Sequence, residues 1–197
     1  MFRLTHLFDS RQFAKLDNPR RRELLPVDKI LDLLRVEKGS YLADLGCGIG
    51  YVSIPAAEKV GPEGHLFALD LQEQMIIEGR RRSQTAGLRN IAWILNPEDS
   101  LPLPASSVDA VIMVAVFHEL ENRSGYVEEA HRILRAGGRL GIVDWKPGFM
   151  EIGPPQDHRV APVEVEALLA QGHFRDLNTT DISEGYYMTV GQKRNPL

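Results

Sequence analysis

The chain has 197 residues, 43% of them apolar and 25% charged, with a net charge of −4 at pH 7. That is the make-up of one globular domain with a sizeable core, and the acidic balance gives no general attraction to nucleic acid or anionic lipid. A single cysteine, Cys47, excludes an internal disulfide and an all-cysteine metal site.

The N-terminus MFRLTHLFDS has no long apolar stretch of the secretory kind, and no apolar run approaches membrane length. With one cysteine, the expected compartment is reducing and cytoplasmic. Residues 1–25 are mixed and basic. They show weak helical spacing through Leu7, Phe8, Phe13 and Leu16, interrupted at Pro19. This segment is expected to be a lid or extension on a single domain spanning 1–197, with Phe13, Lys15 and Leu16 folding over a bound ligand.

From residue 26 the pattern sharpens. PVDKILDLLRV (26–36) has helical spacing with a proline at its start. SYLADL (40–45) predicts a buried strand, 49–60 a helix despite Pro55, GHLFALD (64–70) a strand, 72–86 a helix and NIAWIL (90–95) a strand. A Pro- and Ser-rich loop, NPEDSLPLPASS, leads to VDAVIMVAV (108–116), whose unbroken apolar run suits a central parallel strand covered on both faces. A helix over 124–136 closed by Gly137-Gly138 precedes the strand RLGIVDW (139–145). The Pro- and Gly-rich stretch 146–162 is expected to form a loop on the ligand side. A helix over 162–171 and two closing strands, HFRDLNTTDIS and GYYMTVGQKR, complete the chain. Strands alternating with helices predict an open α/β sheet, with ligands beyond the C-terminal strand ends. Asp44, Asp70, Asp144 and the loop after Val116 have that address.

DLGCGIG (44–50) puts Gly46, Gly48 and Gly50 at a strand-to-helix turn, where backbone can approach a ligand closely. A dinucleotide fingerprint would need a third glycine at position 51, which is Tyr51, and a P-loop would need a Gly-Lys-Ser/Thr ending that is missing. Asp44 sharpens the choice. A carboxylate beside a dianionic pyrophosphate is unfavourable, whereas a sulfonium and an ammonium have no such conflict. S-adenosylmethionine carries both and has no phosphate. Asp70 closes the second strand, 24 residues after Gly46, where it can accept from two ribose hydroxyls. Asp99 and Leu101, in EDSLPLP, are candidates for the adenine. Cys47, between two of the glycines, is read as a small packing residue bordering the same turn, without a neighbouring histidine to activate it. An oxidoreductase using a nicotinamide cofactor fits these residues less well.

These segments resemble the class I S-adenosylmethionine-dependent methyltransferases. DLGCGIG looks like the first family motif, LFALD like the acidic end of the second strand, and EDSLPLPASSVDAVIMVAVFHEL like the adenine loop and fourth strand. HRILRAGGRLGIVDW is similar to the helix-Gly-Gly-strand motif of the ubiquinone/menaquinone methyltransferase-like branch. The resemblance covers about residues 25–145. It implies a mostly parallel seven-stranded sheet of order 3-2-1-4-5-7-6 with helices on both faces and an antiparallel C-terminal edge hairpin. It further implies that Asp44, Gly46, Gly48 and Gly50 border the methionyl part, that Asp70 holds the ribose, and that Leu71 and Met75 line the adenine side. Asp99 matches the loop acid, and Val114, Ala115 and Phe117 approach from the fourth strand. Asn96-Pro97 departs from the aspartate-alanine pair of many relatives. Some relatives methylate arsenite with several cysteines, which a chain holding only Cys47 cannot do.

The implied reaction is in-line transfer of the methyl group of S-adenosylmethionine to a small-molecule O, N, S or C nucleophile. His118 and Glu119, just past the fourth strand, are the candidate base and its partner. Asp144 at the fifth strand's end and His158 with Arg159 in the 146–162 loop are candidates for the acceptor side. Tyr186 and Tyr187 alternate faces, so at most one meets a shared cavity. The acids and histidines are too scattered for a metal site. An amino-methylating Asn/Asp-Pro-Pro-aromatic motif is missing where VAVFHEL stands, which argues against a nucleic-acid acceptor. A non-catalytic cofactor-binding module and a protein acceptor stay open, and an exposed sheet edge could pair in a weak homodimer.

Overall fold

The computed structural model describes residues 19–97, 100–149 and 151–194. Its centre is a seven-stranded sheet: β1 (Tyr41–Leu45), β2 (His65–Asp70), β3 (Ile91–Leu95), β4 (Val108–Val114), β5 (Leu134–Trp145), β6 (Phe174–Asp181) and β7 (Tyr186–Lys193). The order is β3-β2-β1-β4-β5-β7-β6, with β7 antiparallel to both β5 and β6 and the other pairs parallel, as the resemblance implied.

Alternate residues of the central strands feed two separate cores. Leu42, Ala110, Ile112 and Val143 point to one face, covered by α2 (Val27–Leu33) and α3 (Ser53–Val60) and joined by Ile76 of α4 (Glu73–Thr85). Ala43, Leu45, Val111, Met113 and Ile142 point to the other, beneath α5 (Arg123–Ile133) and α6 (Pro162–Gln171). β4 is apolar and buried from Ala110 to Val114 because both of its faces are covered there. Tyr186 and Tyr187 fall in opposite cores, as period-2 alternation requires.

The first described helix is α1 (Pro19–Leu24), with Pro19 at its first described position, where a missing N–H costs nothing. Two sequence expectations shift. The helix expected from residue 49 begins at Ser53, because Gly46, Gly48 and Gly50 hold positive φ (+74°, +52° and +87°) and keep the preceding segment in turns. Gly137-Gly138 does not cap α5. That helix ends at Ile133, since Leu134 is already extended and pairs with Val108. The glycine pair lies inside β5, where the register slips between Val108 and Ala110; a Cβ on Gly138 would come within 2.9 Å of the Asp109 carbonyl oxygen.

Candidate active site

The C-terminal ends of β1, β2, β4 and β5 open on one cavity of about 620 Å³, within the usual size for a small-ligand site. Its floor is the turn after β1. The Gly46 and Cys47 amides both donate to the Leu69 carbonyl (2.8 and 2.9 Å), clipping the turn to β2. A Cβ on Gly46 would sit 2.4 Å from Val116 Cγ2, so only glycine lets the first turn pass under the β4 loop. Gly46, Cys47 and Gly48 line the cavity; Gly50 does not, and a Cβ there would meet Trp93 at 2.7 Å.

Two carboxyls flank this turn. Asp70 accepts from the Gly48 amide and the Gln72 amide, both at 2.9 Å, which fixes its plane and leaves further lone pairs for a ligand. Burial raises its pKa against those bonds. Asp44 is 2% exposed and accepts from Ser53 Oγ at 2.6 Å. Burial pushes its carboxyl up to about 7, the Ser53 bond opposes this, and the Asp70 charge adds to it. A cation arriving here would be favoured by both groups. Cys47 is a buried thiol held well above its ordinary pKa by burial and by Asp44 and Asp70, which rules out a resident thiolate.

On the β2–β3 side, Leu71, Gln72, Met75 and Leu101 line the wall. Leu101 is held from behind, its amide donating to Glu129 (3.2 Å) and its carbonyl accepting from Arg132 (3.0 Å). Asn96 also lines the cavity, its amide donating to the Asp70 carbonyl (2.8 Å) while its buried Oδ1 has no hydrogen-bond partner among the described residues. An orphaned acceptor at this place is what a ligand amino group would satisfy. Asp99, expected to make that contact, lies outside the described residues, as do Phe13, Lys15 and Leu16.

The opposite wall follows β4. Val114, Ala115 and Val116 reach the cavity, and Ala115 adopts φ +55° with its amide donating to Val143 O (2.8 Å). This sharp bend leads into a 3-10 turn, Phe117–Glu119. The bend sends the Phe117 ring into the core beneath α5 and not into the cavity, contrary to expectation. It brings His118 and Glu119 to the cavity instead.

His118 Nδ1 lies 2.7 Å from Asp144 Oδ1, and its backbone amide donates to Asp144 Oδ2 (2.9 Å). Asp144 is fully buried at the end of β5 and also accepts from the Trp145 amide at 2.8 Å. It does not itself line the cavity; it acts on His118 from behind. Burial works against the imidazolium, but the hydrogen bond and charge of Asp144 outweigh it and His118 is raised above its ordinary value. Because a carboxylate accepts at Nδ1, the neutral ring carries its proton there and its lone pair at Nε2. Nε2 is 3.9 Å from Glu119 Oε1. Burial pushes Glu119 up to about 7, with His118 opposing and Asp144 and Asp70 adding to the rise.

Residues from α1, the end of β5 and the 146–162 loop complete the site. Arg21 of α1, Trp145, and Ile152, Gly153 and Pro154 of the 146–162 loop all line it. His158 sits on a 3-10 turn, Gln156–His158, away from the cavity. Its neighbour Arg159 also stays behind the wall, where it holds the loop by donating to the carbonyls of Lys146 (2.7 Å), Ile152 (3.1 Å) and Pro154 (3.1 Å). Arg20 of α1 is paired with Glu151 and Glu184, tying the N-terminal helix to that loop and to the β6–β7 turn. No group of three metal-ligating side chains occurs among the described residues, and no helix among them is long and apolar enough to cross a membrane.

Comparison with known proteins agrees with this layout. Residues 43–142 match the family model described as a methyltransferase domain. A solved S-adenosylmethionine-dependent methyltransferase from Aquifex aeolicus superposes with a TM-score of 0.89 at 28% identity, over 94% of this chain and 99% of that one. A demethylmenaquinone methyltransferase of Listeria welshimeri is 33% identical over 137 residues, 68% of this chain and 58% of that protein. An arsenite methyltransferase of Halobacterium salinarum is 32% identical over 106 residues, 54% of this chain and 27% of that protein. The chain thus spans little more than half the length of its menaquinone-branch relative. The matched span begins in β1 before the glycine turn and ends in β5 just short of Asp144, and the chain belongs to the class I S-adenosylmethionine-dependent methyltransferase family.

Proposed function

We propose that the chain transfers the methyl group of S-adenosylmethionine to a small-molecule acceptor that gives up a proton, with His118 as the accepting base. The observation that carries this reading is the buried His118–Asp144 pair on the wall of the same cavity that holds the glycine turn. The cofactor, when bound, supplies an electrophilic methyl on a sulfonium. Asp70 would hold the ribose hydroxyls, Asp44 would favour the cationic methionyl end, and Asn96 Oδ1 would accept from the adenine amino group. His118 Nε2 takes the proton from the acceptor's nucleophilic atom, and Asp144 holds the resulting imidazolium. Glu119, 3.9 Å away and partly exposed, is placed to pass the proton outward. Arg21 and the 146–162 loop cover the cavity and limit water. Arg21 and the Ile152–Pro154 segment are on this reading part of the cover and the acceptor wall of one domain.

The acceptor wall is aromatic and apolar, with Trp145, Tyr126, Ile152 and Pro154, and Arg21 is the only lysine or arginine lining the cavity among the described residues. This supports a flat, weakly acidic small molecule over a nucleic acid or a protein. The menaquinone-branch relatives point to a hydroquinone-like ring, whose O–H or activated C–H suits a histidine base. Several thiolates would be needed for arsenite, and the single cysteine is a buried thiol. A non-catalytic binding module accounts for the glycine turn but leaves the His118–Asp144 pair without a role. The test is calorimetric titration with S-adenosylmethionine, then a methyl-transfer screen over hydroquinones, catechols and carbon acids, with His118→Gln in parallel. The reading predicts cofactor binding by both proteins and transfer by the native one. Transfer that survives His118→Gln undiminished would refute the base; absence of cofactor binding would refute the whole reading.

A further inference from the structure

Arg123 opens α5, on the far side of the His118 turn from the cavity floor, and it is not among the cavity-lining residues. Its guanidinium nonetheless reaches the turn with two arms. Nε donates to the Phe117 carbonyl at 3.1 Å and Nη2 to the His118 carbonyl at 3.2 Å. Its carbon also lies 5.9 Å from the centre of the Phe117 ring. The planar fork therefore grips two successive carbonyls of a three-residue turn with a separate nitrogen on each, held at a fixed spacing that a single lysine ammonium does not have. Nothing in the acceptor reading by itself requires an arginine here.

The charges facing His118 give the grip a second consequence. From β5 the imidazole faces Asp144, and within its own turn it faces Glu119. From α5 it faces Arg123, which disfavours the imidazolium where Asp144 and Glu119 favour it. The carboxylate of Asp70 acts on Glu119 and not on His118 directly. Among the described residues, Arg123 is thus the cation set against two acids. Without it the ring would hold a proton to higher pH and would be less available as an acceptor at neutrality.

We propose that Arg123 is a positioning residue of this site: it fixes the turn that presents His118 and, by its charge, keeps the imidazole an accepting base. The proposal rests on the reading of His118 as the base, but its first test does not. The imidazole of His118 is titrated by NMR in the native chain, in Arg123→Met and in Arg123→Lys, its signal assigned by its loss in His118→Gln. Removing the charge should raise the midpoint by about half a unit, the scale of one partly screened neighbouring charge. Keeping the charge as lysine should leave it within about 0.2 units of native. In a methyl-transfer assay, the acid limb of the rate profile should move upward with the midpoint in Arg123→Met. Arg123→Lys should keep the native limb but lose about tenfold in rate, because one mobile ammonium replaces the two fixed nitrogens of the fork. A midpoint unmoved in Arg123→Met, or moved equally in both variants, overturns the electrostatic role. A native rate in Arg123→Lys overturns the positional one. A shifted midpoint in a chain that shows no His118-dependent transfer leaves the Arg123–His118 coupling standing and places the failure in the reading of the base.

Discussion

The two halves of the cavity are built by different means. The half beneath β1 and β2 is made of main chain. Its turn is held by amides donating to the Leu69 carbonyl and to the Asp70 carboxylate, and it needs positive φ at Gly46 and Gly48. The half beyond β4 and β5 is made of side chains that reach in from elsewhere: Asp144 to His118, Arg123 to the His118 turn, and Arg159 to the loop that carries Ile152 and Pro154. A backbone-built floor suits a ligand that many relatives share, since it depends little on individual side chains. A wall held by three separate side-chain contacts can change with the acceptor while the floor stays fixed.

The sharpest way to break that contrast is to place a side chain in the floor. Gly46→Ala adds a Cβ 2.4 Å from Val116 Cγ2 at a residue with φ +74°. Steric overlap and left-handed backbone strain of about 1–3 kcal/mol act together. The expected result is a loss of S-adenosylmethionine affinity of about a hundredfold by calorimetry. Adding Val116→Ala removes the overlap but not the strain, so the double variant should recover only part of the loss. Native affinity in Gly46→Ala would show that the floor is not held by its backbone.

The counterpart on the acceptor wall is His118→Gln, which keeps a hydrogen-bonding side chain but no base. Turnover should fall by about 10²–10⁴-fold, the usual worth of a positioned general base. Cofactor affinity should stay within about twofold, because the floor does not use this side chain. A comparable loss in both quantities would mean that the two halves are one coupled unit.

How much of this was legible in the sequence follows the same division. The floor is local: DLGCGIG and the acid at Asp70 lie in short segments whose chemistry is set by neighbours in the chain, and the strand pattern gave an open α/β sheet whose order followed from the family resemblance. The wall depends on long-range contacts. Asp144 could be placed at a strand end, but not its bond to a histidine 26 residues away. The family resemblance implied Phe117 at the cofactor; the positive φ of Ala115, which turns its ring away and delivers His118, has no signature in an alanine. Arg159 was expected on the acceptor side but acts from behind the wall through carbonyl oxygens, which every residue has, so no pattern marks that role. Asn96 stands where a departure from relatives was visible, yet its orphaned Oδ1 appears only once the cavity is formed.

A smaller effect, on pH dependence, tests both halves at once. Asp44 and Glu119 keep their protons up to about 7 in the folded chain but release them in the ordinary carboxylate range when unfolded. The folded state therefore binds more protons between those limits. Their contribution to stability is fully present below the ordinary carboxylate range and is lost as the pH rises to about 7. His118, raised above its ordinary value, adds a loss of the same sign as the pH rises through its folded pKa. The thermal midpoint of the ligand-free chain should fall between about pH 4.5 and 7.5, less steeply in Asp44→Asn. Affinity for the cationic cofactor should move the other way, rising toward pH 7 by at most about tenfold per unit as Asp44 ionises. An affinity flat over this range would remove Asp44 from the binding of positive charge.

The smallest effect concerns Cys47, the residue whose position most invites a chemical role. It lies between two glycines of the floor and lines the cavity, but its thiol is buried and donates to the neighbouring Gly48 carbonyl at 3.6 Å. Burial and the two nearby acids hold it as the neutral thiol, the unreactive form. Cys47→Ala removes one small buried atom from a turn whose path is set by the amides clipped to Leu69 and Asp70. Turnover should stay within about twofold, and cofactor affinity likewise, with a loss of stability of about 1 kcal/mol from the packing left behind. In the native chain, labelling by a thiol reagent at neutral pH should be slow and should slow further when S-adenosylmethionine fills the cavity. Rapid labelling, or loss of turnover in Cys47→Ala beyond what its stability explains, would mean that the floor contributes side-chain chemistry after all, and the division between a backbone half and a side-chain half would not hold.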